Sequence, residues 1–461
     1  MMKRLVLILF LAVIILFPYI FQVNAQSNLH NDVKVLKKYR EMLLNKQSSD
    51  GSWGDKMYLT TLSIFFLKEM GMDVESEQLA AAIDWILSTQ GSDGSFGDGW
   101  IRDTAWALVA LSEVGMVDTV QFRRGERFFM TRVRYDPYPP SLAAAAWALS
   151  RKEGRESLVQ QYLQQVMDAQ AIDGSWGDVW ETALTIIALT QCGLDKENEK
   201  VARALEYMRT KQVEEGYIEN RWYCRNSLAL LAFILSKKPR NSTTIVKLLN
   251  FIKGGEDAGW YDIESAVVTA GALYIFYRDV IEQKVIDALG EVEQALPELW
   301  EKCEEVYDFT GIHFYENLTN MLNTTRRLLE NRSLIDAVDL LESCESLSGC
   351  IRRAYDTIGL IKEGNESIWE APESNLKDKA KNELNIAIQD LITGCRFALE
   401  GNFTGALELL SSAERSANVA LQTAKAAKRK ITIGVYIPLI ILGMFLTLLR
   451  GAVHLRKKGS R

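Results

Sequence analysis

Six aromatic residues recur along the chain at a nearly fixed interval. Tyr58, Trp100, Tyr138, Trp180, Trp222 and Tyr261 are separated by 42, 38, 42, 42 and 39 residues. Rings held at equivalent places could stack on sugars, contact an isoprenoid chain or anchor a peptide. Charged residues interleave with them: Arg102, Asp103, Glu181, Arg221, Arg225, Asp262 and Glu264. Asp103, Glu181, Asp262 and Glu264 are of the type that a glycosidase pair needs, but nothing in the spacing pairs them. Metal chemistry has little to draw on. The three histidines, His30, His313 and His454, are too few for a His-rich metal site, so no metal and no cofactor is expected.

The elements that would place these residues come from a repeat. Gln47-Ser48-Ser49-Asp50-Gly51-Ser52-Trp53-Gly54-Asp55 returns as the segment beginning at Gln90, with Phe96 for the tryptophan, and as the segment from Gln170 to Asp178. Tyr135-Asp136-Pro137-Tyr138 stands where a further copy is due. Gln212 to Tyr217 is a shortened copy and Asp257 to Trp260 an eroded one. Amphipathic patterns precede the motifs at 32–47, 77–90, 121–134, 156–170, 199–212 and 243–253. Apolar residues at three- and four-residue spacings predict outer helices there. More uniformly apolar runs follow at 58–70, 103–114, 141–150, 181–192, 225–236 and 263–276, which predicts buried inner helices. Asp-Gly-Ser makes a tight turn with glycine in a backbone state that other residues resist. The glutamine amide is placed to tie one repeat's turn to the next, and the aromatic to fill the gap between them.

Gln-x-x-Asp-Gly-Ser-Trp-Gly followed by an Ala/Leu-rich helix resembles the repeat of squalene and oxidosqualene cyclases and of protein prenyltransferase β subunits. The resemblance covers about residues 32–285. It implies a closed six-plus-six α/α toroid with its active site at the end where the inner helices start. There the six aromatics would form a ring, and Tyr58, Trp100, Tyr138, Trp180, Glu181, Trp222, Tyr261 and Asp262 are the ligand-binding candidates. The cyclases end an acidic motif with Asp-Asp-Thr-Ala. Here Trp100-Ile101-Arg102-Asp103-Thr104-Ala105 keeps the last aspartate alone, so Asp103 is the single catalytic candidate. The adjacent Arg102 is expected to favour its ionised form, the wrong one for an acid. Glu181-Thr182-Ala183 repeats the pattern elsewhere, which points to a helix N-terminus where an acid suits the dipole. The prenyltransferase zinc ligands and the Gly-Cys-Gly-Glu-Gln of thioester proteins, which share the toroid, have no match.

Beyond residue 285 the glycine motif stops and helical patterns continue to 430. Leu329 to Leu341 resembles Leu399 to Leu410, which predicts two helical hairpins with turns at Asn331-Arg332 and Gly401-Asn402, joined by a loop from Gly364 to Asn375. Cys303, Cys344, Cys350 and Cys395 lie here, and at least one disulfide is expected among them.

The chain has 461 residues, 48% of them hydrophobic and 25% charged, which excludes wholesale disorder. The two ends set the compartment. Lys3 and Arg4 precede an apolar run to about Val23, read as a signal peptide over 1–25 or an uncleaved anchor. Ile431 to Leu449 has no charge over 19 residues, enough to cross a bilayer, and a basic tail follows at 450–461. The chain totals 53 Lys+Arg and 60 Asp+Glu. Removing the two basic residues of 1–25 and the five of 431–461 leaves 46 against 60, a balance of −14 for 26–430. A segment that acidic is a poor nucleic-acid binder. Sequons at Asn241, Asn317, Asn323, Asn331, Asn365 and Asn402 agree with export as a glycoprotein.

The expected molecule is all-α. It has a toroid over 32–285, a helical-hairpin stalk over 286–430 and a C-terminal transmembrane helix, with the large domain outside the cell membrane. Its expected role is to bind an isoprenoid lipid, a glycan or a protein. A divergent isoprenoid-processing enzyme and an architectural envelope protein are the alternatives.

Overall fold

The structure, a computed structural model, describes residues 32–256, 260, 262–371 and 373–427. Its elements are helices, with one isolated bridge between Gln212 and Ile218. Among the described residues, 32–285 with 327–338 form one compact unit, and 286–326 with 339–427 form another.

In the first unit, outer and inner helices alternate. The outer helices are α1 (32–44), α3 (Glu77–Ser88), α5 (Val120–Arg132), α7 (Glu156–Asp168), α9 (Glu199–Thr210) and α11 (Thr243–Gly254). The inner helices are α2 (Met57–Glu69), α4 (Ile101–Glu113), α6 (Pro139–Ser150), α8 (Val179–Gln191), α10 (Tyr223–Leu235) and the first part of α12 (Ile263–Thr310). Helix α3 buries only the stripe Leu79, Ala82, Ile83 and Ile86, whereas α6 is buried at every residue from Pro140 to Leu149. That is the difference between a helix covering a core and one inside it.

Successive inner helices pack from α2 round to α10. The Ser227 and Thr269 hydroxyls, 2.6 Å apart, join α10 to α12. Helix α12 then closes on α2: Phe66 lies against Gly271, Lys56 pairs with Glu264 at 2.6 Å, and Arg278 pairs with Glu69. The outer layer closes too, with Tyr39 stacked on Tyr277 and Asp32 paired with Lys284. The result is a closed ring of six outer and six inner helices. Its centre is filled. Trp147 of α6 meets Phe65 of α2 edge-on at 5.3 Å and Trp106 of α4 at 6.4 Å, and all three are at most 1% exposed.

The repeated motif does what its residue types allow. Each glutamine amide donates twice, once into its own turn and once to the next outer helix. Gln47 reaches the carbonyls of Gly51 and Gln78, Gln90 those of Gly94 and Gln121, Gln170 those of Gly174 and Lys200, and Gln212 those of Gly216 and Thr244. The turn glycines have φ from +92° to +99° and press against the next outer helix. The Trp53 and Trp176 indoles donate to Leu43 and Val166.

Helices α13 (Tyr315–Glu330) and α14 (Leu334–Trp369), whose joining turn belongs to the first unit, and α15 (Asn375–Leu399) and α16 (403–427), within the second, form the expected hairpins. Arg332 and Gly401 take the positive φ at their turns. Two boundaries differ from expectation. Helix α12 continues past Phe276 to Thr310, because the sequence after 276 offers no glycine or proline stop until Gly290, and Pro297 is itself accommodated within the helix. The expected loop from Gly364 begins only after Trp369, because α14 runs on through Gly364, which packs beside the Leu384 side chain. The expected disulfide is also absent. Cys303, Cys344, Cys350 and Cys395 are buried free thiols, used as small core residues. Burial pushes the Cys344 and Cys395 thiols up to about 12.

All six sequon asparagines are exposed. Among the described residues no helix is long and apolar enough to cross a membrane. The segments 1–25, 431–449 and 450–461 lie outside the described residues, as does Tyr261.

Candidate functional site

The inner helices all begin at one end of the ring, and the expected aromatics other than Tyr261 sit at those starts. Trp100, Tyr138 and Trp222 are the N-cap residues of α4, α6 and α10. Their side chains are used differently. Tyr58 meets Trp180 edge-on at 5.9 Å, joining α2 to α8. Tyr138 donates its hydroxyl to Glu181 at 2.6 Å. Trp222 is 67% exposed with the Arg225 guanidinium over its ring at 5.1 Å, and Trp100 is 64% exposed. The structure thus brings Tyr58, Trp180 and Trp222 toward one place, ties Tyr138 into a hydrogen bond and leaves Trp100 open.

That place is a pocket of about 550 Å³, lined by Trp180, Arg221 to Arg225, Asp262, Glu264 and Ser265. The neighbouring helices α10 and α12 supply its polar wall. The buried Cys224 thiol donates to the Glu264 carboxylate at 3.4 Å, and Lys56 holds the other oxygen of that carboxylate. Burial alone would push Glu264 up, but Lys56, with Tyr58 and Cys224, outweighs it and leaves the carboxyl below its usual range. Burial, then Glu264, pushes the Cys224 thiol well up. This cysteine is a neutral donor, not a nucleophile. Asp262 caps α12 by accepting from the Ser265 N–H and hydroxyl at 2.7 and 2.9 Å. Arg225 is steadied by Asp178 at 2.7 Å. Two indole faces, guanidinium donors and carboxylate acceptors therefore surround one open volume, the equipment to hold an amphipathic molecule with a flat apolar part. Among the described residues no group of three or more His, Cys, Asp or Glu is placed to hold a metal ion.

Asp103 stands apart from this pocket. It lies in the first turn of α4, its carboxylate against Gly97 and accepting from the Asp98 N–H. Glu181 is its counterpart in α8: it lies against Gly177 and accepts from the Asp178 N–H, completing a capping box. Both acids pin the preceding glycine turn to the helix start. Burial raises the Asp103 carboxyl from its usual value and outweighs the pull of Arg102, whose Nε is 3.8 Å away on a half-exposed, water-screened side chain. Thr104 and Thr182 accept from the N–H of Phe96 and Trp176, both at 3.0 Å, so the acid-Thr pair belongs to the turn's architecture.

Sequence reasoning missed two features. Lys56 precedes α2 and meets Glu264 only through ring closure, with no local signal. Phe65, Trp106 and Trp147 did carry one: they are 41 residues apart each time, the repeat period on the inner helices.

Comparison with known proteins follows the same lines. Residues 16–138 match the family model of the squalene-hopene cyclase C-terminal domain. No curated protein matches by sequence. Among solved structures the chain is similar to a protein from Actinoplanes, at 13% identity over 53% of this chain and 99% of that one, with a TM-score of 0.42. It is similar also to the type II terpene cyclase MstE from Scytonema. One MstE variant is in complex with its substrate geranylgeranyl dihydroxybenzoate (12% identity, 55% and 99% covered, TM-score 0.40), another with its product merosterolic acid A (12%, 55% and 99%, TM-score 0.38). The motif-bearing turns and alternating helices form an all-α ring, and residues 16–138 are similar to the squalene-hopene cyclase C-terminal domain.

Proposed function

We propose that the protein is a ligand-binding toroid, held at the outer face of the cell membrane by 431–449, which captures an amphipathic molecule at the mouth where the inner helices start. The observation that carries this reading is the mouth pocket with Trp180 and Trp222 on one side and Arg225, Asp262 and Glu264 on the other. The packed centre supports it: with Phe65, Trp106 and Trp147 in contact, the ring's middle is occupied and the mouth is the open volume. An isoprenoid lipid, a glycan or a peptide with an aromatic residue has the required chemistry. The test is extraction of the full-length protein from membranes, with mass spectrometry of what co-purifies. Trp222→Ala should lose the bound molecule, and at an exposed position it should change stability by no more than about 0.5 kcal/mol. Recovery without detergent would sink the anchoring. An unchanged ligand complement in Trp222→Ala would sink the site.

A second reading, a divergent isoprenoid-processing enzyme, draws on the raised Asp103 carboxyl, the direction a general acid requires. It predicts turnover of a polyprene such as squalene, abolished by Asp103→Asn. Absence of turnover in the unmodified protein would remove it.

A further inference from the structure

Helix α5 carries a set of charges that its counterparts lack. The glutamine ties set the outer helices in register. Gln121 of α5 accepts where Gln78 of α3, Lys200 of α9 and Thr244 of α11 do. Two residues on, α5 has Arg123, and the others have Ala80, Ala202 and Val246. Five residues on, Glu126 replaces Ile83, Leu205 and Leu249. Six residues on, Arg127 replaces Asp84, Glu206 and Asn250. The repeat needs none of these charges, so the third one carries them for another reason.

Glu126 is 4% exposed and held by Lys152 at 2.8 Å and by Arg155, both from the segment joining α6 to α7. Burial works against its charge, but the two cations prevail and keep the carboxyl below its usual range. A cleft of about 420 Å³ opens beside this group, lined also by Arg123, Arg127 and Arg134. The Arg123 guanidinium donates to a neutral carbonyl, that of Asp118, at 2.8 Å. Arg127 and Arg134 have no carboxylate partner among the described residues. The cleft is lined by Arg123, Arg127, Arg134 and Arg155 against Glu126, three positive charges in excess, four minus one. They lie in a stretch whose own balance is −14. Arginines at i and i+4 repel each other, and a bound anion would relieve that repulsion.

We infer that this cleft binds an anion carrying two phosphoryl groups, separately from the mouth pocket. Guanidinium forks match phosphate oxygens in pairs. One phosphoryl group brings a charge of about −1.5 to −2, so two are needed to balance the excess. The chemistry is the same whether the groups belong to a free diphosphate or to a multiply phosphorylated lipid headgroup.

The experiment is calorimetric titration of the full-length protein with inorganic pyrophosphate and with inorganic phosphate, and flotation with phosphatidylcholine vesicles containing a phosphorylated phosphoinositide. Pyrophosphate should bind at least about tenfold more tightly than phosphate. Arg127→Gln and Arg134→Gln should each weaken it by about 10- to 100-fold, the range for losing a charged hydrogen-bond partner. Arg127→Lys should recover part of the loss, and Arg209→Gln on α9 should change nothing. Vesicle binding lost in the same two variants, without pyrophosphate binding, would keep the site and assign it to a headgroup. Binding of neither probe, or binding that Arg127→Gln and Arg134→Gln leave intact, would overturn the proposal.

Discussion

Replacing Gly174 with alanine is expected to cost about 2–5 kcal/mol, as left-handed strain and a steric overlap add. Gly174 has a φ of +92°, and an added Cβ would lie 2.7 Å from the carbonyl oxygen of Arg203 in α9. That carbonyl is part of a helix backbone and cannot swing aside. The change also loosens the turn whose Gly174 carbonyl accepts from Gln170, the residue that reaches on to Lys200. At roughly 2–4 °C per kcal/mol for a unit of this size, the melting temperature should fall by about 4–20 °C. Gly115 supplies the control, with a φ of +77° and nothing within 4 Å of an added Cβ. Gly115→Ala should cost only the backbone strain, about 1–2 kcal/mol. Equal losses in thermal melts of the two variants would mean that contact between repeats does not constrain Gly174.

The second large effect is expected at the centre of the ring. Trp147→Ala should destabilise by about 3–5 kcal/mol, the usual range for a buried tryptophan. Trp147 is fully buried between Phe65 and Trp106, and its indole N–H donates to Glu113 at 2.8 Å. The loss combines lost burial, an unfilled cavity and a carboxylate left with the half-exposed Arg151. Trp147→Phe should lose less, because a ring still reaches Phe65. Indole added to Trp147→Ala should raise its melting temperature by occupying the space, with no such effect on the unmodified protein. A loss below about 1 kcal/mol in denaturant titration would contradict a packed centre, given the range for buried aromatics.

What the sequence made legible follows the range of the forces involved. The turns were readable because Asp50, Gly51, Ser52 and Trp53 act on one another within a few residues, and their return at Asp93 and Asp173 fixed the period. The glutamine tie was readable as a possibility, since it spans only about one repeat. Ring closure was not, because Lys56 and Glu264 are 208 residues apart and neither has a local reason to be charged. The aromatic positions at the helix starts were found by spacing alone. Spacing could not foretell that Tyr138 would spend its hydroxyl on Glu181 while Trp222 stayed open. Asp103 shows the limit in another form. Its neighbour in sequence, Arg102, pointed one way, and its burial, a property of the fold, decided the other. The cysteines of the second unit looked like a disulfide framework by number, but number carries no geometry, and each serves as a core side chain.

The pairing of Asp32 with Lys284, beside the stacked Tyr39 and Tyr277, sets the entry and exit of the ring next to each other. A wheel joined at its rim has no privileged first spoke. A short linker from 284 back to 32 could therefore weld the present ends, and the chain could be opened instead at the exposed turn at Gly115, where new termini disturb little buried backbone. The order of the repeats around the wheel would be kept while their order along the gene was rotated. Toroids with the same spokes numbered from different starting points are thus accessible to one another by duplication and trimming, without passing through a broken ring.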